Sequence, residues 1–167
     1  MLISFVNYYP NGSIAMLDVN SMGVGSLNVT AAEPRAEAEN FFKIANATKT
    51  AVPGGGANFE VSGLRPGSML YYAKVFADAP GKYKLSLHAS NGGQSTGTVT
   101  VSDGQRGTKL ASCTLKPTGG WTVYRDVLCD GLLPLGPANG TDLQLTFDSD
   151  AGPTPFANLD RWQILSS

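Results

Sequence analysis

Charged side chains are scarce in this sequence, at 15% of 167 residues against roughly 25% in an average soluble domain. The 12 basic and 13 acidic residues leave a formal net charge of −1, so the strong positive field of a nucleic-acid-binding protein is missing and we expect no nucleic-acid partner. No run of about 18 apolar residues occurs, so we expect no membrane partner. The one histidine, His88, has no obvious Ser or Cys nucleophile beside it, which argues against a hydrolytic triad.

Glycine and proline, by contrast, are abundant, and the 20 Gly and 10 Pro residues favour tight turns over long helices. Between the turn signals, apolar and polar side chains alternate with a period of two, which is typical of half-buried strands. Five such segments recur along the chain, at 82–89, 96–102, 108–115, 121–129 and 141–148, and a sixth strand segment, 68–77, is a more fully apolar run. This pattern predicts an all-β fold, a β-sandwich.

Two segments depart from this pattern. Residues 31–47 are rich in Ala, Glu and Lys and contain Pro34, a composition that favours a helix. Residues 1–34 combine a predicted hairpin with a Gly/Ser-rich stretch, do not resemble a signal peptide, and would be barely stable alone. The predicted division is therefore 1–34, a hairpin and linker that could be the end of an upstream catalytic domain, and 35–167, the sandwich.

The only two cysteines, Cys113 and Cys129, lie on either side of residue 121, where a hairpin turn would bring them face to face. A disulfide closing this loop would stabilise the fold by roughly 3 kcal/mol; two free buried thiols are the alternative. Four N-x-[ST] sites, at Asn11, Asn28, Asn46 and Asn139, favour an oxidising compartment. We therefore predict a secreted, extracellular protein with this disulfide.

Acidic residues near the beginning and the end of the sequence 35–167 suggest a cation site. Glu37 and Glu39 would share one face of a strand, and Asp160 would join them if the first and last strands pair. Three carboxylates with backbone carbonyls form an environment suited to Ca²⁺. The alternative is a solvated acidic edge, neutralised by Arg35 or Arg161.

Trp121 follows two glycines in the segment Thr118-Gly-Gly-Trp. The glycines allow a sharp bend that would present the indole at the rim of the domain, where its face could stack on a sugar ring. A tryptophan buried at the start of a strand is the alternative.

Taken together, these motifs resemble the carbohydrate-binding modules of family 6 and the related family 35. The resemblance covers about residues 35–167 and rests on five short motifs in order: 36–40 (AEAEN), 54–58 (GGGAN), 79–83 (APGKY), 118–121 (TGGW) and 157–160 (ANLD). It implies a β-sandwich of jelly-roll type without catalysis of its own, and strand and turn rather than helix at 35–47. It also implies a structural Ca²⁺ held by Glu37, Glu39 and Asp160.

The resemblance further implies a sugar site among the loops at one end of the sandwich. Trp121 matches one of two aromatic residues that clamp the sugar ring, and Asn158 matches an asparagine that binds its hydroxyls. The second aromatic position is occupied by Val61, for which Phe59 or Tyr124 could substitute. A second surface, on a sheet face, could then involve Lys84, His88 and Tyr71, and the loop at 148–156 could add Asp148, Asp150 or Phe156 to the rim.

The predicted function is that of a non-catalytic, monomeric module that binds a cell-wall polysaccharide of β-glucan, xylan or galactan type and targets an attached secreted glycoside hydrolase to it. One alternative is a structural or adhesive sandwich domain without sugar binding. A glycosidase is the other, with Asp148 and Asp150 as its carboxylate pair, although residues so close together on a Gly/Pro-rich loop are more often turn formers.

Overall fold

The computed structural model of the protein describes residues 35–52, 59–138, 140–150 and 152–167. The chain divides into two units, Met1–Ala31 and Ala32–Ser167, and all of the described residues belong to the second. The predicted N-terminal hairpin and the motif at 54–58 lie outside the described residues. No membrane-spanning helix is found in the described ranges.

Thirteen strands make up the described regular structure: β1 (Arg35–Glu37), β2 (Lys43–Ala45), β3 (Thr48–Ala51), β4 (Phe59–Leu64), β5 (Met69–Val75), β6 (Gly81–Asn91), β7 (Gly97–Asp103), β8 (Lys109–Leu115), β9 (Arg125–Leu128), β10 (Asp130–Gly131), β11 (Leu133–Leu135), β12 (Thr141–Ser149) and β13 (Ala157–Ser166). Each of the six predicted strand segments overlaps one of them, in order β5, β6, β7, β8, β9 and β12. Segment 121–129 is shorter than predicted, because Trp121 and Thr122 form a turn before β9 begins.

The strands form two antiparallel sheets. Sheet A has the order β11-β6-β13-β4-β3, with β1 beside β13 and β9 beside β6, and sheet B has the order β10-β8-β7-β12-β5-β2. This arrangement confirms the predicted all-β sandwich. Alternating side chains from both sheets, such as Leu87, Ile164, Val101 and Phe147, are buried between them, as the period of two requires.

Residues 35–47 contain the two short strands β1 and β2 rather than a helix. β1 pairs with β13, placing Glu37 opposite Arg161, and β2 pairs with β5. Hydrogen bonds to strands far along the chain therefore override the local helix propensity of the Ala- and Glu-rich segment, which is worth only a few tenths of a kcal/mol per residue.

Cys113 and Cys129 form the predicted disulfide, and the antiparallel register of β8 with β10, which pairs Ser112 with Asp130, is centred on residue 121 as predicted. β8 pairs with β10 in sheet B, whereas β9 pairs with β6 in sheet A. The disulfide therefore connects the two sheets where the chain crosses from one to the other. Both cysteines are buried in the core.

Candidate functional site

The loop that connects β8 to β9, residues 116–124, carries Trp121 at one end of the sandwich. Its first half is fixed to the end of β6, since Thr118 donates its backbone N–H to the carbonyl of Asn91 over 2.9 Å and accepts the N–H of Asn91 at Oγ1 over 3.0 Å. Val123 closes a turn by donating to the carbonyl of Gly120. The loop presents Trp121 with 41% of its surface exposed.

One face of the Trp121 indole lies against the backbone of Gly92. A Cβ atom on Gly92 would lie 2.3 Å from the indole ring, far inside van der Waals contact, so only glycine allows this approach. With this side covered by the backbone, the exposed surface of the indole is available to a ligand from the opposite side.

Asn158, in β13 beside the loop, is largely buried, with 8% of its surface exposed. Its Oδ1 accepts the backbone N–H of Gly63 over 3.2 Å. Its Nδ2 donates to Oε1 of Glu60 over 3.2 Å and to the carbonyl of Trp121 over 3.5 Å. Both amide N–H groups therefore have partners within the protein.

Glu60, in β4, is the centre of this hydrogen-bond network and was not among the predicted site residues. Its Oε1 accepts from Asn158 and its Oε2 accepts from the hydroxyl of Tyr124. Burial, followed by the negative charge of Asp160, raises the pKa of Glu60. A buried carboxylate is costly unless donors surround it, and here two side chains supply them.

Tyr124 lies between Glu60 and a second pair of polar side chains. Its ring stacks on the imidazole of His88, with ring centroids 5.5 Å apart and planes 13° apart. Nδ1 of His88 lies 2.7 Å from Oδ1 of Asp126. Tyr124 is therefore held both at its ring and at its hydroxyl.

The remaining predicted rim residues lie in different surroundings. Phe59 is 37% exposed, and the Lys49 ammonium lies 4.5 Å from its ring centroid. Val61 and Phe156 are fully buried, so Phe156 belongs to the core rather than to the rim. Asp148 and Asp150 are exposed.

The predicted second surface is divided between the two sheets. Lys84 and His88 belong to β6 in sheet A, whereas Tyr71 belongs to β5 in sheet B. Tyr71 donates its hydroxyl to Asp142 over 2.6 Å, and its ring centroid is 6.3 Å from that of Phe42. Any binding surface that includes Tyr71 is therefore formed by sheet B.

The three predicted calcium ligands, Glu37, Glu39 and Asp160, lie where β1 and its following turn meet β13. Oε2 of Glu39 is buried without a hydrogen-bond partner. The pKa of Glu39 is raised by burial above all, and further by the charges of Glu37 and Asp160. The unpartnered oxygen and the all-oxygen donor set fit a hard cation.

The geometry of these carboxylates is not that of a complete site. Asp160 is paired with Arg161, whose guanidinium lies 2.6 Å from Oδ2. Among the described residues, no three His, Cys, Asp or Glu side chains are gathered closely enough to hold a metal ion. The prediction of a Ca²⁺ ligand set at these residues therefore remains a prediction.

A comparison with models of protein families matches residues 37–166 to the carbohydrate-binding module, family 6. The chain belongs to this family. The two antiparallel sheets are thus those of a family 6 sandwich, the family that the five short motifs predicted. Such modules are binding domains and are generally non-catalytic.

Solved structures of family 6 modules share this fold. A β-1,3-glucan-binding module from Bacillus halodurans has a TM-score of 0.69 at 16% identity, over 80% of this chain and 96% of that one. A module from Clostridium stercorarium, in complex with cellobiose, has a TM-score of 0.62 at 22% identity, over 81% and 95% of the two chains.

The fold is also similar to part of a larger enzyme. A family 43 arabinoxylan arabinofuranohydrolase from Bacillus subtilis, in complex with cellotetraose, has a TM-score of 0.65 at 21% identity, over 97% of this chain and 33% of that one. A comparison with curated proteins gives no match.

Sequence reasoning missed Glu60, Ser90 and Gly92, which surround the predicted residues Trp121, Asn158 and Tyr124. One signal was present for Glu60: it is an acidic residue directly before Val61 in a predominantly apolar environment, and the structure buries both side chains. Nothing in the local pattern indicated that Asn158 and Tyr124 would approach it, since they are 98 and 64 positions away.

Proposed function

We propose that this module binds a neutral cell-wall polysaccharide of β-glucan, xylan or galactan type at Trp121 and concentrates an attached secreted glycoside hydrolase on it. The observation that carries the proposal is the half-exposed indole of Trp121 on a rigidly held loop at one end of the sandwich. The flat apolar face of a pyranose ring is complementary to the free face of an indole.

The surroundings of Trp121 favour an uncharged ligand. The chain has a net charge of −1, and the polar groups beside the indole are hydroxyls, amides and a carboxylate rather than a basic cluster. Neutral hydroxyl-rich polymers need hydrogen-bond partners but no strong field of either sign. A single stacking face supports modest affinity and little rearrangement on binding.

The other three predicted sugar-binding residues have different roles in this proposal. Asn158 and Tyr124 support the loop through Glu60, because their hydrogen-bonding groups face the protein. Phe59 is partly exposed beside Lys49 and can contact a longer chain that extends away from Trp121.

Affinity electrophoresis and calorimetry with xylan, laminarin, cellulose and galactan test the proposal. We expect retardation by at least one polymer, and loss of that retardation in Trp121→Ala. Phe76→Ala is the matched control, because Phe76 is similarly exposed, at 45%, but packs against Gly140 and should leave binding unchanged. Binding to none of the four polymers, or full binding by Trp121→Ala, would contradict the proposal.

A second surface on sheet B is the alternative location for the sugar. Phe42, 67% exposed, lies beside Tyr71, and the buried carboxylate of Asp142 accepts from Tyr71 and from the amide of Gln105. Two aromatic rings beside fixed polar groups offer a further platform for a saccharide. Binding that survives Trp121→Ala but is lost in Phe42→Ala would assign the sugar to this surface.

The attached hydrolase and the extracellular location are further parts of the proposal. The likeness to a third of a larger arabinoxylan-cleaving enzyme supports an association with a catalytic domain, and the disulfide supports an oxidising compartment. An assay for reducing sugar released from the same four polymers separates a binding module from a glycosidase. We expect no release by this chain, and release would favour the glycosidase.

We also propose that Ca²⁺ binds among Glu37, Glu39 and Asp160 and stabilises the fold. The buried, unpartnered oxygen of Glu39 supports this. The ion would join residues of the neighbouring strands β1 and β13, the first and last described strands, and take no part in catalysis.

A further inference from the structure

We propose that Glu60 is a positioning residue for sugar binding: its carboxylate holds the segment Trp121–Tyr124 in place and so sets the orientation of the indole. This inference rests on the proposed function, because it assigns a role to Glu60 at the Trp121 site. Glu60 itself is too deeply buried, at 5% exposure, to contact a polysaccharide.

The segment is held at both of its ends by side chains from sheet A. At Trp121, the backbone carbonyl accepts a hydrogen bond from Oγ of Ser90 over 2.7 Å and a longer one from Nδ2 of Asn158. At Tyr124, the hydroxyl donates to Glu60. The backbone of Trp121 is therefore fixed at the first of these points, where the indole lies against Gly92.

Glu60 connects the two ends. Its two carboxylate oxygens accept from Tyr124 and from Asn158, and the same amide group of Asn158 also faces the carbonyl of Trp121. Replacing Glu60 by a residue without an acceptor leaves the buried N–H of Asn158 and the hydroxyl of Tyr124 without partners, a penalty that favours rearrangement of the loop. Rearrangement would change the angle of the indole relative to Gly92.

Substitutions at Tyr124 and Glu60 can separate the hydrogen bonds of Glu60 from the packing of the Tyr124 ring on His88. Tyr124→Phe removes only the hydroxyl and keeps the ring that packs on the imidazole. Glu60→Gln keeps one acceptor oxygen and replaces the other with an N–H donor, so it preserves the connection to Tyr124 or to Asn158 but not both. Glu60→Ala removes both connections.

The two tryptophans of the chain make the orientation of Trp121 directly observable. Trp162 is buried in the core at 6% exposure and Trp121 is half exposed, so an ¹⁵N-labelled protein gives two indole N–H signals, assigned with Trp121→Phe. We expect Glu60→Ala and Tyr124→Phe to shift or broaden the Trp121 signal and to leave the Trp162 signal unchanged. In Glu60→Gln, the change in the Trp121 signal should be smaller than in Glu60→Ala.

Calorimetry with the polysaccharide that the unsubstituted protein binds supplies the second measurement. We expect binding to weaken by about tenfold in Glu60→Ala, equivalent to roughly 1.4 kcal/mol, and to be partly restored in Glu60→Gln. Equal affinity and an unchanged Trp121 signal in both Glu60→Ala and Tyr124→Phe would overturn the proposal, as would equal changes at both indoles, which would indicate general destabilisation. If no polysaccharide binds, the proposed function fails, but the indole signals still test whether Glu60 positions Trp121.

Discussion

Gly92 and Trp121 are in direct contact across the end of the sandwich, with the indole where a Cβ of residue 92 would have to be. The contact joins the residue after β6 to the loop before β9. It covers one side of the ring with backbone, so under the proposed function a ligand approaches from the other side. The position of the indole thus depends on one glycine.

Gly92→Ala should displace the indole, because the added methyl group cannot fit beside the ring. We expect about a tenfold loss of polysaccharide affinity, or roughly 1.4 kcal/mol, measured by calorimetry. Gly120→Ala is the matched control from the same loop, since a Cβ there meets Val123 at an ordinary 3.5 Å. Unchanged binding by Gly92→Ala would contradict the prediction that polysaccharide affinity depends on the position of the Trp121 indole.

The buried carboxyl of Glu60 should make the stability of the module depend on pH. Because its pKa is raised in the folded state from the ordinary value of 4.5, the folded protein holds this proton more tightly than the unfolded chain does. Its contribution to stability is therefore complete below pH 4.5 and is lost as the pH rises through the folded-state pKa.

Urea unfolding from about pH 4 to pH 8, with a chelator present, measures this dependence. Two neighbouring groups face the Glu60 carboxyl in this experiment. The hydroxyl of Tyr124 donates a hydrogen bond to it, and the negative charge of Asp160 helps to raise its pKa. We expect the free energy of unfolding to fall less with rising pH in Glu60→Gln than in the unsubstituted protein. Identical slopes in the two proteins would contradict the raised pKa of Glu60.

Added Ca²⁺ should raise the melting temperature, since an ion that binds only the folded state stabilises it by mass action. Glu39→Gln should abolish most of this shift, because it removes the charge from the buried carboxylate. Asp130→Asn, at an exposed aspartate of the short strand β10, is the matched control. No shift with millimolar Ca²⁺ would count against a calcium site.

Removing the disulfide should destabilise the sandwich without affecting the sugar site. A crosslink between residues 16 positions apart is worth roughly 3 kcal/mol in the chain-entropy model. The double variant Cys113→Ala, Cys129→Ala should show about this loss in urea unfolding, while its polysaccharide affinity at low temperature stays the same. A large loss of affinity in the folded double variant would imply that the crosslink also shapes the site.

The strands were predictable because their signal is local. Alternating side chains such as Leu85 and Leu87 must face one side of an extended chain, whatever they pack against. The disulfide partners were also predictable, since the chain has only two cysteines. The passage of the chain through sheet A at β9, between β8 and β10, was not predictable, because it depends on where the chain crosses between sheets.

The order of short motifs along the chain was sufficient to predict the family, and the family comparison confirmed it. The motif order also identified Trp121, Asn158 and Tyr124 as candidate carbohydrate-binding residues. In the structure these three residues lie close together around the loop at 116–124. The Ala- and Glu-rich segment at 35–47 would have been predicted as a helix from composition alone, because the strands that pair with it lie far along the chain.

By itself, then, the amino-acid sequence determined the alternation that makes strands, the near-neutral charge and the presence of an aromatic residue after two glycines. Tertiary structure alone decided that Asn158 donates to Glu60, that Tyr124 is held at its hydroxyl, and that Gly92 covers one side of Trp121. These contacts join residues tens of positions apart. Their distances depend on how the two sheets and their loops pack, and no local pattern encodes that packing.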